Sequence, residues 1–260
     1  MLGVLGGMGP VATADFFAKL VAETPARGDE DHVPVLLLSD PRIPPRPPAI
    51  LAGAESPLPV LRALRDRLIA GGATVLAMPC NTAHFWYDAL AEDCPVPFLS
   101  IVDASAGEVQ TLAPAPSTVA LVATEATLAA RIYDTVLAAR GHRVMLPDAQ
   151  EQRAGINPAI AHVKCGEAGA AGQLLVPVIE ALIARTAAST RTARSRVAAS
   201  RRGGQRGEAG ALALWTYRKP VAGTNGASIR RRSLTSAVST TSRRNGISTE
   251  ANAVTEWRSG

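Results

Sequence analysis

Cys80 is the residue of this chain best placed to do chemistry. It follows an apolar run, residues 73–78, that reads as a short buried strand. Pro79 ends that strand because it cannot donate to a ladder. Asn81 and Thr82 are helix-capping types, and residues 83–91 are expected to form a helix. The spacing therefore puts the thiol where a strand hands over to a helix, at the crevice where open α/β sheets bind ligands. Helix N-termini bind anions and lower thiol pKa values. A thiol there suits a nucleophile or a base acting on a carbon acid. It also suits a small buried core residue, a common fate of free cysteine, and spacing alone leaves both readings open.

The elements that must position Cys80 start at residues 2–5, a short apolar strand. Gly6, Gly7 and Gly9 follow, then Pro10, which suits a first helical turn, and residues 12–22 carry helical periodicity with Phe16, Leu20 and Val21 on one side. A glycine turn before a helix can cradle an anion or simply turn tightly, and without a GxGxxG pattern it implies no dinucleotide. Residues 33–38 read as a second strand. They run into a proline-rich stretch, residues 39–48, that reads as a stiff loop carrying Arg42 and Arg46. Residues 56–70 are expected to be helical, with Leu58, Leu61, Leu64, Leu68 and Ile69 on one face and Arg62, Arg65, Asp66 and Arg67 largely opposite.

Residues 97–101 and 102–112 read as strand and helix, and residues 113–117 as a linker between domains. The alternation then repeats: a strand at 118–122, a helix at 128–139 ended by Gly141, a strand at 143–146, a helix at 150–163 interrupted by Pro158, and a helix at 168–184. Repeated strand–helix alternation predicts parallel sheets covered on both faces. The expected organisation is two similar α/β domains, residues 1–113 and 117–185, followed by a basic low-complexity tail at 186–260.

Composition separates that tail from the rest. Residues 1–185 hold 13 Lys/Arg and 19 Asp/Glu, a net of −6, whereas residues 186–260 hold 14 Lys/Arg and 3 Glu, a net of +11. The tail lacks apolar periodicity, and its composition reads as disorder, with residues 211–215 as its one candidate element. It has no aromatic interleaving, which disfavours a nucleic-acid partner. Cys80, Cys94 and Cys165 form no paired framework and no metal-ligand spacing. The N-terminus reads directly into a glycine turn, and no span of about 18 apolar residues stands out. The expectation is a cytoplasmic protein with neither metal nor membrane.

Pro79-Cys80-Asn81-Thr82-Ala83-His84, taken with Gly6-Gly7-Met8-Gly9-Pro10-Val11-Ala12-Thr13, resembles the aspartate/glutamate racemase family, and the resemblance spans about residues 2–185. It implies two α/β domains related by pseudo-twofold symmetry and an isomerase of amino-acid metabolism that needs no cofactor. A small amino acid such as aspartate or glutamate would be the substrate, and a homodimer is compatible with it. The family is understood to use two cysteines, one thiolate and one thiol, whose roles swap with substrate handedness. Cys80 matches the first. Arg46 resembles the arginine that grips a substrate carboxylate, as a guanidinium can through two parallel hydrogen bonds. Met8, Asn81 and Thr82 fall in the substrate-binding motifs, Thr124 and Thr127 match a threonine pair, and Lys164 matches a lysine that faces the substrate. Helix capping is a second role open to the threonines, and a surface position to Lys164. Pro45, Glu125 and Ala126 depart from the family pattern.

The family's second cysteine should follow a strand beyond Arg185, in a Gly-Cys-Thr-Glu context. No cysteine occurs after Cys165, which has no match among catalytic cysteines. His84 is a substitute only by its nearness in sequence. The abrupt change after Arg185 reads as a shift of reading frame. The segment that would return to complete the first domain is then missing or replaced, which predicts an uncovered apolar face and an open sheet edge. Efficient racemisation is in question, and a remnant that only binds carboxylates is the alternative.

Overall fold

The computed structural model describes residues 1–113, 115–200, 211–214 and 232–235. Strands β1 (Leu2–Gly6), β2 (Val35–Ser39), β3 (Val75–Ala77) and β4 (Phe98–Leu99) form one parallel sheet in the order β2-β1-β3-β4. Helices α1 (Pro10–Glu23), α2 (Arg46–Ala52), α3 (Leu58–Ala70), α4 (Tyr87–Ala91) and α5 (Ile101–Leu112) connect and flank it. Strands β5 (Thr118–Ala120) and β6 (Arg143–Met145) form a second parallel pair. Around it lie α6 (Glu125–Ala129), α7 (Asp134–Ala139), α8 (Ala149–Glu151), α9 (Asn157–Lys164) and α10 (Ala168–Ser200). Strands β7 (Ala211–Leu214) and β8 (Arg232–Thr235) pair antiparallel.

The expected α/β class with parallel sheets holds. Both sides of the central strand are apolar because β1 is buried along its whole length. On one side Leu5, Leu61, Leu64, Leu68 and Leu76 pack together, and on the other Leu2 and Val4 meet Phe16 and Leu20 of α1. A separate core under the second pair joins Ala120, Ile156, Val178 and Leu182.

Several elements depart from expectation for identifiable reasons. The stiff loop ends at Pro45, and Arg46, Pro47 and Pro48 open α2, since proline fits a first turn whose N–H groups have no intrahelical partner. Residues 82–86 form a 3-10 turn before α4 instead of one α-helix. The helix expected at 128–139 is split into α6 and α7 by Arg131, whose φ is 53°. The expected break at Pro158 is met differently: a wide π turn, Gln152–Ile156, precedes α9, and Pro158 lies in the first turn of α9. Arg65 is not on a solvent face. It is 4% exposed, and its guanidinium donates to the Leu90 carbonyl and pairs with Asp66 and Asp93. Val21 is exposed, so of the apolar side expected on α1 only Phe16 and Leu20 are covered, and those in part.

Helix α10 runs past the expected boundary at Arg185 to Ser200. Within the residues expected to be unstructured, α10's last turns, β7 and β8 are described, and the remainder of 201–260 lies outside the described residues. Contrary to expectation, Ala168–Thr186 is long and apolar enough to cross a membrane. Its Val178 and Leu182 face the core beneath β5. Large apolar side chains do stand uncovered, among them Leu99 at the β4 edge and Phe17 and Val21 on α1.

Candidate active site

Three strand-to-helix connections converge at the carboxyl ends of the two sheets. The first is the glycine turn after β1. Gly7 has φ 93°, and a Cβ there would lie 2.3 Å from the Asp40 carbonyl oxygen, so this turn requires glycine. Its N–H donates to Thr13 Oγ1 at 2.9 Å, and Thr13 Oγ1 donates to the Gly9 carbonyl at 3.0 Å, which fixes the turn onto α1. Met8 is buried in the first core.

Arg46 reaches this turn from α2. Its Nη2 donates to the Met8 carbonyl at 3.3 Å, and Nη1 donates to the Pro44 and Ile43 carbonyls at 3.2 and 3.3 Å. Its Nε is buried without an acceptor among the described residues. The guanidinium is therefore held by main-chain oxygens and lies beside Cys80, with no carboxylate paired to it among the described residues. Arg42 differs: it is exposed and pairs with Asp40 at 2.8 Å, holding the Asp40 carboxyl at about 2. The two loop arginines thus separate into one turned inward and one neutralised outside.

Cys80 lies just beyond β3 and is buried, 9% exposed. Burial pushes its thiol above the ordinary value, overriding the helix-terminus effect expected from sequence. The Ala83 N–H, the Arg46 charge and the Thr82 N–H oppose that shift. The two N–H groups belong to the 3-10 turn that Asn81 opens.

Neither Asn81 nor Thr82 caps that turn through its side chain. Asn81 Oδ1 instead accepts a hydrogen bond from the Tyr133 hydroxyl. Thr82 Oγ1 lies 2.8 Å from Thr124 Oγ1 and 2.9 Å from Thr127 Oγ1, and the latter two are 2.8 Å apart. Three hydroxyls therefore close a ring between the turn after β3 and the turn after β5. Thr124 also caps α6 by accepting from the Thr127 N–H at 3.2 Å. Thr124 thus combines the capping role with membership of the ring, whereas Thr127 does not cap α6. Glu125 is exposed.

Lys164 is not gathered into this cluster. It stands exposed in the last turn of α9, with no hydrogen bond or ion pair among the described residues. Cys165 is the exposed residue following α9, and Cys94 is half-buried in a loop. His84 cannot serve as a second acid in this arrangement. Its Nδ1 is 2.8 Å from the Cys80 carbonyl, and its Nε2 accepts from the Ile101 N–H at 3.0 Å.

Two residues of the site carry no sequence signal. Tyr133 falls inside what periodicity predicts as continuous helix. Gln152 is buried in the π turn, where its Nε2 donates to the Ala123 carbonyl at 3.2 Å and to Asn157 Oδ1 at 2.7 Å, fixing the loop that leads to Thr124. Among the described residues, no three His, Cys, Asp or Glu side chains group as a metal site.

A buried thiol at a strand end, an inward arginine and a hydroxyl cluster thus come together on a parallel α/β scaffold. Residues 5–190 match the family model of Asp/Glu/hydantoin racemases, and the chain belongs to that family. A curated relative, the broad specificity amino-acid racemase RacX of Bacillus subtilis (strain 168), is 32% identical over 178 residues, covering 63% of this chain and 71% of RacX. The structure of Picrophilus torridus aspartate racemase is 32% identical with a TM-score of 0.63, covering 69% of this chain and 74% of that one. A putative Asp/Glu racemase from Yersinia pestis, 23% identical with a TM-score of 0.51 over 62% and 70% of the two chains, shares the fold.

Proposed function

We propose that this chain acts on the Cα–H bond of a small amino acid without a cofactor, with Cys80 as acid/base on one face of the substrate. The observation that carries this reading is the environment of Cys80. Its sulfur is buried from water, yet it faces the Arg46 cation and the Thr82 and Ala83 N–H groups. Abstraction at Cα develops negative charge on the adjoining carboxylate, and fixed donors in a water-poor site stabilise that charge. Arg46 supplies the cation for the carboxylate, with its position set by the Met8 carbonyl. Asn81 and Thr82 after β3, and Thr124 and Thr127 after β5, are read as the polar groups that complete the substrate site. Lys164, exposed at the end of α9, is left out of this constellation.

Within this reading, residues 1–113 and 117–185 are two half-sites of a pseudo-symmetric pair. Racemisation needs a second acid on the opposite face, and no cysteine after Cys165 supplies it. His84 is excluded by its two hydrogen bonds. The chain is therefore read as exchanging the Cα proton from one side only. The absent second cysteine, together with the upward shift of the Cys80 thiol, also favours a second reading, a remnant that binds small carboxylates without turnover.

The two readings part on one experiment. Loss of the Cα proton signal of aspartate, glutamate and a set of neutral amino acids is followed by NMR in D₂O. Exchange that drops at least about a thousandfold in Cys80→Ala supports the first. Binding without exchange in the unaltered chain supports the second.

A further inference from the structure

His84 takes no part in the proton transfer proposed above, yet it is 5% exposed and both its ring nitrogens are engaged. A carbonyl oxygen can only accept and a main-chain N–H can only donate. The ring between the Cys80 carbonyl and the Ile101 N–H must therefore carry its single proton on Nδ1 and leave Nε2 bare. The ring also stacks on Tyr87, with centroids 5.4 Å apart and planes within 6°. The Tyr87 hydroxyl in turn donates to the Phe98 carbonyl. The imidazole is thus a rigid spacer between the turn that carries Cys80 and the first residue of α5.

We propose that His84 is a positioning residue for the thiol: as a neutral Nδ1–H imidazole it pins the Cys80 carbonyl to the N-terminus of α5 and so keeps the Thr82 and Ala83 N–H groups on the Cys80 sulfur. Its effect on catalysis rests on Cys80 being the acid/base, but its effect on the thiol does not. An imidazolium would set an N–H at Nε2 against the Ile101 N–H, donor to donor. Burial likewise holds the ring below the ordinary histidine value, against the Cys80 carbonyl and the Asp103 charge of α5, which favour protonation. On the sulfur itself the charged group that bears is Arg46.

The test reads the thiol in a Cys94→Ser/Cys165→Ser background, where Cys80 alone titrates by thiolate absorbance. His84→Phe keeps the ring and its stack but removes both hydrogen bonds. His84→Gln loses the ring but spaces one donor and one acceptor much as the imidazole does. The Phe variant is expected to raise the Cys80 pKa by about one unit, roughly tenfold less thiolate at a given pH. The Gln variant is expected to stay within about 0.3 units of the parent. ¹⁵N NMR of the parent should show Nδ1 protonated and Nε2 bare at neutral pH. An Nε2–H tautomer, a folded Phe variant that titrates like the parent, or a Gln variant displaced as far as Phe overturns the proposal. If Phe fails to fold, the tautomer and the Gln variant decide. Absence of Cα exchange in the unaltered chain, with the thiol behaving as described, sinks the racemase reading and leaves His84's role standing.

Discussion

Thr82 Oγ1 and Thr127 Oγ1 lie 2.9 Å apart, one on the turn after β3 and the other on the turn after β5, and both residues are buried. With Thr124 they form a ring in which each hydroxyl donates once. On the proposed reading, a substrate carboxylate entering the cluster would take one of those donors and open the ring. Thr127→Val keeps the shape and removes two of the three ring contacts. Stability is expected to fall by about 1–2 kcal/mol, read by urea denaturation. A Thr82→Val/Thr127→Val cycle should be non-additive because both changes break the same ring.

Arg46 is expected to govern carboxylate affinity. Its guanidinium is held by the Met8, Ile43 and Pro44 carbonyls, and no carboxylate pairs with it among the described residues. Arg46→Lys keeps a charge but cannot make that forked arrangement. Binding of aspartate or glutamate should weaken by roughly 10–100-fold, about 1.5–3 kcal/mol for hydrogen bonds to a charged group. Calorimetry checks it, and unchanged affinity would move the carboxylate elsewhere. Arg42→Lys, at the exposed Asp40 pair, should leave affinity unchanged.

The pH dependence follows from the directions of two shifts. Burial raises the Cys80 pKa, so thiolate-dependent exchange should climb with pH and level off only above the ordinary cysteine value. Burial lowers the His84 pKa, so the unfolded chain binds its proton more readily than the folded chain. The His84 contribution to stability is therefore complete above the ordinary histidine value near 6.5 and is lost as pH falls toward the folded value. Melting scans from pH 8 to 5 should show that loss, and His84→Gln should lessen it.

Much of this was legible in the residues. Strand–helix alternation gave the parallel sheets because buried parallel strands must read as short apolar runs, as residues 2–5 and 75–77 do. The motif around Cys80 carried the family. What stayed hidden depends on contacts across the chain. Tyr133 meets Asn81 only because Arg131, with its positive φ, breaks a helix that periodicity draws as continuous. Arg46 opens a helix because three nearby prolines, read as loop formers, are also compatible with a first turn. Burial of Arg65 follows from partners on the α4 side, Leu90 and Asp93, that local pattern cannot supply.

The tail makes its own prediction. If the change of composition after Arg185 is a shift of frame, the other frames of the gene beyond codon 186 should encode an apolar strand ending in Gly-Cys-Thr-Glu. Resequencing that region checks it, and two frames without such a strand would contradict it. A chain repaired there should gain the second acid.

The central claim is that Cys80 works alone on one face, and stereochemistry tests it most directly. The purified chain is incubated in D₂O with each enantiomer of aspartate and glutamate, and the recovered amino acid is resolved by chiral chromatography and assayed for Cα deuterium. The account predicts deuterium in one enantiomer with retained configuration, abolished by Cys80→Ala. Inversion would reveal a second acid/base that the site as described lacks, and exchange that persists in Cys80→Ala would remove Cys80 from the chemistry.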